Sequence, residues 1–279
     1  MTPSEECQIA EVLRSDYSVR QICEVLGFTR SNFYYQPKED PYEHLLRDEI
    51  EKLAVAYPTY GYRRITTLLV QQGYPVGYRR VARLMKSENL CVSVKRVCRT
   101  TTSLPALQPY VNRLETLEVS RRDQVWVGDI TYVRLKNRFI YLAVLMDVFT
   151  RMIRAWHLSP HLTQSLTLNP LEEALHQNVA EIHHSDQGVQ YLSNAYISVL
   201  QHHGIQISIA RRGCPWENGY AERLIRTLKE EEVYLNDYQD IHEAKDRIGH
   251  FITQVYHQKR PHSALEYLTP AEFERQNLS

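Results

Sequence analysis

The sequence predicts an α/β fold, a sheet core preceded by a helical N-terminal region, and three observations carry that expectation. Three apolar strand segments follow one another at hairpin spacing between residues 125 and 158. Two shorter strand segments then alternate with helical stretches between 181 and 209. Upstream of residue 119 the pattern is helical and locally basic.

Residues 1–36 read as a helix-turn-helix-like segment. In S-V-R-Q-I-C-E-V-L-G-F-T-R-S-N-F-Y-Y, Ser18 and Thr29 are N-cap types and Gly27 breaks the run between them. Val19, Ile22, Cys23 and Leu26 share one side of the first helix, and 29–35 is the second. Such pairs can place a helix in a major groove, but any helical hairpin imitates the pattern. Q-P-K-E-D-P (36–41) is a linker.

Residues 42–98 form a basic helical domain, with helices at 42–56, 61–72 and 77–88. The last two are separated by Gly73-Tyr74-Pro75 and each opens on G-Y-R-R. Between 61 and 104, Arg63, Arg64, Arg79, Arg80, Arg83, Lys86, Lys95, Arg96 and Arg99 face a single acid, Glu88. Tyr60, Tyr62, Tyr74 and Tyr78 are threaded among them. The whole chain has zero net charge, so this local excess is the footprint suited to nucleic-acid phosphates. Arg79, Arg80, Arg83 and Lys86 line one side of their helix. Residues 99–118 read as a linker.

From 119 to 279 the texture is that of a folded core with a helical tail. V-W-V-G-D-I-T-Y-V (125–133), F-I-Y-L-A-V-L-M (139–146) and R-M-I-R-A-W-H-L (151–158) are consecutive strands. A helix at about 162–178 leads to the strand E-I-H-H (181–184), a helix at about 191–203 leads to I-Q-I-S-I (205–209), and helices from 221 and at about 240–258 complete the core. Three antiparallel strands followed by two strands alternating with helices is the order of a ribonuclease-H-like α/β domain. The longest apolar run, 139–146, is too short to span a bilayer. Five cysteines without C-x-x-C spacing argue for reduced, cytoplasmic thiols and against a disulfide framework or a zinc site.

The chemistry concentrates in the helix that follows R-R-G-C-P-W-E-N-G-Y. Ala221, Leu224, Ile225 and Leu228 make its apolar stripe, and Glu222, Arg226 and Lys229 lie together on a flanking stripe. On a solvated helix that would be an ordinary ion-pair face. Two further carboxylates change its meaning. Asp129 stands inside a strand, where an aspartate is disfavoured unless paired or metal-bound. Asp186 ends a short strand before Gly188, and thirty-five residues separate it from Glu222. With the first and fourth strands adjacent and the helix across them, all three carboxylates reach one edge. Three such groups repel each other unless a cation intervenes. Oxygen-only donors suit two Mg²⁺ or Mn²⁺ ions, which can drive an in-line phosphoryl displacement.

The blocks W-V-G-D-I-T-Y, H-S-D-Q-G-V-Q-Y, E-N-G-Y-A-E-R-L-I-R-T-L-K and R-P-H-S-A-L-E-Y-L-T-P resemble the IS-three group of insertion-sequence transposases. That group belongs to the DDE transposase and retroviral integrase superfamily, and the likeness covers roughly 42–276. The resemblance implies an integrase-like catalytic core with Asp129, Asp186 and Glu222 as the metal-binding triad. It implies that Lys229 touches the transposon end, and it sets His184 and Asn218 at motif positions beside the site. Asn218 and Arg226 join Lys229 and the basic residues at 63–96 as expected DNA contacts. Gly128 stands where the family more often has Thr, Glu217 where it has Asp, Gly219 where it has Ala and His257 where it has Asn. Glu217 competes for the third acidic position but lies in the loop, which favours Glu222.

The expected function is metal-dependent 3′-end nicking and strand transfer of an insertion sequence. The expected partners are the element's inverted-repeat ends, target DNA, further copies of the chain in a dimer or larger assembly, and an upstream helix-turn-helix frame. The expected location is the cytoplasm, at the nucleoid. A nuclease of the same fold without strand transfer, or a non-catalytic DNA-binding regulator, are the competing readings.

Overall fold

The computed structural model describes residues 13, 17–27, 40–90 and 110–277, and it divides by compactness into two units, Met1–Glu49 and Ile50–Ser279. In the first unit, helix α1 spans Val19–Leu26. The Ser18 hydroxyl accepts the Gln21 N–H while the Gln21 side chain reaches back to the Ser18 N–H, a capping box. Gly27, at φ 73°, closes the helix in the left-handed conformation that glycine adopts without strain. Ile22 and Cys23 are buried. The second helix expected at 29–35 lies outside the described residues. Helix α2, Pro41–Ala56, runs across the division between the units.

In the second unit, helices α3 (Tyr62–Gln71) and α4 (Tyr78–Ser87) each start at a glycine, Gly61 and Gly77, and form a short hairpin. Ile65 and Leu69 from α3, and Val81, Leu84 and Met85 from α4, are buried. Among the described residues the strands are β1 (Val125–Arg134), β2 (Phe139–Asp147), β3 (Ile153–Ser159), β4 (Ile182–Ser185) and β5 (Gln206–Ile209). Their order is β3-β2-β1-β4-β5; the first three pair antiparallel, and β4 and β5 add parallel strands on the far side of β1. This is the ribonuclease-H-like arrangement.

Side chains alternate across β1, so Val125 and Val127 enter one apolar cluster and Trp126 enters the other. The first cluster takes in helix α7 (Gly219–Glu231) and helix α8 (Ile241–His250) through Ala221, Leu224, Leu228 and Ile248. The second takes in α5 (Ser165–Leu175) and α6 (Asn194–His202) through Leu171, Tyr196 and Leu200. Both faces of the sheet are therefore covered, which explains why β2 reads as an unbroken apolar run.

Several boundaries differ from the sequence expectation for local reasons. Strand β3 begins at Ile153 because the turn after β2 holds Arg151 at φ 62°. Helix α7 begins at Gly219, earlier than 221, because one 3-10 turn, Pro215–Asn218, leads directly into it. The helix expected at 240–258 is α8 continued by a π-helical turn, Phe251–Tyr256. Helix α9, Pro270–Gln276, closes the chain behind a Thr269 capping box. Among the described residues no helix is long and apolar enough to cross a membrane.

Candidate active site

Strands β1 and β4 pair parallel, with Gly128 opposite Ser185. The next residue on each is a carboxylate, so Asp129 and Asp186 leave neighbouring strands side by side, about one strand spacing of 4.8 Å apart at the backbone. Helix α7 packs across β1 through its apolar stripe, and Asn218 Nδ2 donates to the Gly128 carbonyl at 3.4 Å. Glu222 is in the first turn of α7 and exposed.

The electrostatics of this edge are unbalanced. Asp129 is half-buried, and its carboxylate accepts the Ile130 N–H at 2.7 Å. Burial first, then repulsion from Asp186 and Glu222, push Asp129 up to about 7, against the weaker pull of Ile130 N–H and Lys229. Burial also raises Asp186, offset by the Gly188 N–H that its Oδ1 accepts at 2.9 Å. Glu222 is raised by burial and eased by Arg226. Lys229 is lowered by burial and supported by Asp129. Glu222 and Lys229 thus act on Asp129, and Arg226 acts on Glu222.

Two glycines there leave little room for a side chain. A Cβ on Gly128 would meet Tyr191 Cε1 at 3.1 Å and its hydroxyl at 3.2 Å. A Cβ on Gly188 would meet Asp186 Oδ1 at 3.0 Å. The Tyr191 ring is buried beneath this edge, and burial, Tyr196, Asp129 and Asp186 all oppose its ionisation. Sequence reasoning passed over Tyr191, although it ends the H-S-D-Q-G-V-Q-Y block. Gly128 leaves the space that this ring fills.

The neighbouring histidines are supports. His183 Nε2 bonds the Tyr196 hydroxyl at 2.8 Å, and burial drives that imidazole down to about 3. His184 Nδ1 meets Ser208 Oγ at 2.8 Å, and burial drives it down to about 4. The Nε2 of His184 and the Oδ1 of Asn218 are buried without a hydrogen-bond partner. Glu217 is occupied elsewhere: it accepts both the backbone N–H and the guanidinium of Arg211, bonds that outweigh burial and lower its carboxyl. His257 Nε2 accepts the Ile153 N–H at 3.1 Å and so anchors the start of β3.

The basic residues expected at DNA divide into separate groups. Arg79, Arg83 and Lys86 are exposed on α4, opposite its buried face, and Arg80 is half-buried. Arg63 is exposed, with its guanidinium 5.6 Å from the Tyr62 ring centre. Arg64 is engaged within the fold, 2.8 Å from Glu231 at the end of α7. Lys95 and Arg96 lie outside the described residues.

Among the described residues no group of three or more His, Cys, Asp or Glu side chains stands ready to hold a metal ion. The donor chemistry nonetheless fits a hard divalent cation. Three carboxylates face this edge, and burial together with repulsion from Asp186 and Glu222 pushes Asp129 toward protonation.

Comparison with known proteins matches residues 119–215 and 203–270 to integrase core domains and 41–97 to an HTH-like domain. The chain is 33% identical over 265 residues to the uncharacterized 31 kDa protein of insertion element IS600 from Shigella sonnei, covering 90% of this chain and 97% of that one. It is 29% identical over 279 residues to transposase InsF of insertion sequence IS3A from Escherichia coli K12, covering 95% and 97%. A shorter match, 37% identical over 158 residues, reaches the transposase of IS904 from Lactococcus lactis and spans 56% of this chain and 62% of that relative. Among solved structures, a simian T-cell lymphotropic virus intasome in complex with a PP2A regulatory subunit shares the fold at a TM-score of 0.50 and 16% identity, over 80% of this chain and 73% of that one.

Proposed function

Since the chain belongs to the IS-three group of insertion-sequence transposases, DDE-type enzymes of DNA transposition, we propose that Asp129, Asp186 and Glu222 are its catalytic carboxylates. The observation that carries this reading is the parallel register of Gly128 and Ser185, which sets Asp129 beside Asp186 on adjacent strands. Glu222 faces the same edge from α7 and adds to the repulsion on Asp129.

The three carboxylates are the residues that would hold two Mg²⁺ or Mn²⁺ ions. Bound there, such ions supply Lewis-acid activation of an attacking oxygen and stabilisation of a leaving one. Asp129 must be ionised to serve as a ligand, so occupancy is coupled to loss of its proton. Arg226 and Lys229, about one and two turns further along α7, hold the phosphates of the element end. In the first step water attacks a phosphodiester, and the element's 3′-oxygen leaves with a proton as a free 3′-OH. That 3′-OH then attacks a second phosphodiester and displaces its 3′-oxygen. One set of acidic side chains serves both displacements, and no protein nucleophile is needed.

The accompanying division of labour assigns 1–36 to a helix-turn-helix-like segment, 42–98 to basic helical DNA binding, 99–118 to a linker and 119–279 to catalysis. Arg63, Arg79, Arg80, Arg83, Lys86, Lys95 and Arg96 contact DNA in this scheme, whereas Asn218, buried against the Gly128 carbonyl, serves to hold α7 on β1. Arg64, given its partner Glu231, acts first as a clamp between α3 and α7. Two ends must be held at once, so the working form is a dimer or larger, with an upstream helix-turn-helix frame as a further partner.

The test is Asp186→Asn assayed on DNA that carries the element ends. Mg²⁺-dependent nicking and joined products should both disappear while DNA binding persists. Retained nicking refutes the assignment, and cut ends without joined products from the unaltered protein would refute strand transfer.

A further inference from the structure

A cavity of about 310 Å³ opens on the flank of α7, about a quarter-turn round the helix from Glu222. Its wall includes Arg64 from α3, Arg151 from the turn after β2, Arg223 and Tyr220 from α7, and Arg260 and His262 from the C-terminal segment. These positions come from widely separated parts of the sequence, and four of the six are arginines.

Among the described residues only one carboxylate pairs with these four guanidiniums. Glu231 takes Arg64 at 2.8 Å and Arg260 at 2.8 Å, which accounts for two of the cations as a buried brace. Arg151 and Arg223 have no ion pair among the described residues. Arg223 is exposed, and the Arg151 guanidinium lies 4.5 Å from the Tyr220 ring centre. The Arg151 backbone is held at φ 62°, a region unfavourable for a long L side chain, with its carbonyl accepting the Tyr256 hydroxyl at 3.1 Å. The local field is strongly positive: burial with Arg260, Arg64 and Arg151 drives His262 down to about 2. Its Nε2 accepts from Arg260 at 3.1 Å and stays neutral.

A cavity with uncompensated guanidinium forks calls for an anion that offers several oxygens on one centre, which is the geometry of a phosphate. We propose that this cavity is a phosphodiester-binding subsite that seats a backbone phosphate of the DNA strand running past the acidic edge, with Arg223 and Arg151 as its contacts. The identity of the anion as DNA rests on the transposase reading; the subsite itself rests on the arrangement of arginines.

The experiment uses the full chain, a fluorescein-labelled duplex taken from the DNA flanking its coding region, and EDTA, so that no cleavage intervenes. Affinity is measured across about 50–200 mM salt for Arg223→Ala, Arg151→Ala, the pair together, and Arg134→Ala, an exposed arginine at the end of β1. The double variant should bind roughly tenfold more weakly, with the log–log salt slope reduced by about one to two. Arg223→Lys should recover most of the slope, while Arg134→Ala should change little. A double variant that binds as tightly and as salt-sensitively as the parent, or one matched by Arg134→Ala, overturns the subsite. Should Arg151→Ala fail to fold, Arg223→Ala alone decides by the same criterion, because that side chain is exposed. The assay reads binding without metal, so failure of the acidic edge in nicking leaves its outcome untouched.

Discussion

Asp129 and Asp147 stand on paired strands, Asp129 opposite Val144 and Asp147 opposite Trp126, yet the molecule treats them in opposite ways. Asp147 is fully buried and well supplied with donors. It accepts the Thr150 N–H at 3.0 Å, the Thr150 hydroxyl at 2.5 Å and the Asp123 N–H at 3.1 Å. The Arg154 guanidinium adds a further contact at 3.4 Å and joins Glu274 at 2.6 Å. Asp129 is less buried, has the Ile130 N–H, and faces two more carboxylates. Burial raises both acids; at Asp147 the Thr150 hydrogen bonds and then Arg154 are the next largest influences, whereas at Asp129 repulsion from Asp186 outranks the Ile130 hydrogen bond and Lys229. A carboxylate whose neighbours already satisfy it is part of the scaffold. One left in the company of like charges is arranged for a ligand that brings positive charge.

The sharpest way to break this comparison is to neutralise each aspartate and read activity against stability. Asp129→Asn should cut nicking on the order of a thousandfold or more, without lowering the unfolding transition. Asp147→Ala should do the reverse: it leaves the buried Thr150 and Asp123 donors without their acceptor and takes one of three carboxylates from Arg154, and should cost roughly 3–5 kcal/mol in urea or thermal unfolding. Equal losses of stability from both would erase the distinction drawn here.

A smaller effect follows from the titration of Asp129. Its folded-state pKa, about 7, lies above the ordinary value of 3.8, so its contribution favours the fold at low pH and is lost as pH rises through 7. Metal-free protein should therefore lose roughly 1–3 kcal/mol between about pH 4 and 8, a loss that Asp129→Asn reduces. Added Mg²⁺ should stabilise more at the upper end of that range, since it requires the ionised carboxylate. Calorimetry with and without the ion checks both statements.

The mildest perturbation is Gly128→Ala. Its Cβ would press on Tyr191 at 3.1–3.2 Å, and the expected cost is about 1–2 kcal/mol. Tyr191→Phe removes the hydroxyl contact at 3.2 Å and leaves the ring-carbon contact at 3.1 Å, so the double variant should regain part of that loss. A fully additive pair would mean that the ring does not fill the space glycine leaves.

Much of this was legible in the residues. The unbroken apolar run of β2, the alternation of β1 and the stripe of Ala221, Leu224, Ile225 and Leu228 each encode an element and its buried face, because local periodicity suffices for that. The acidic trio was legible as three motifs, and the structure gives two of its members adjacent strand positions. Less legible were roles that depend on distant partners. Arg64 read as one more basic residue until Glu231, far along the chain, claimed it. Glu217 read as a rival to Glu222 until Arg211 tied it into the loop.

By itself, then, the amino-acid sequence determined which segments are strands and helices, which faces they bury, and which side chains bring unusual chemistry. Tertiary structure alone decided that Gly128 lies opposite Ser185, that Tyr191 fills the gap beneath them, and that Arg151, Arg223 and Arg260 surround one cavity. The reason is physical. Periodicity acts over a few residues and is written locally, whereas the balance of charge at a site is set by strand register and helix packing, which bring together groups that no short stretch contains.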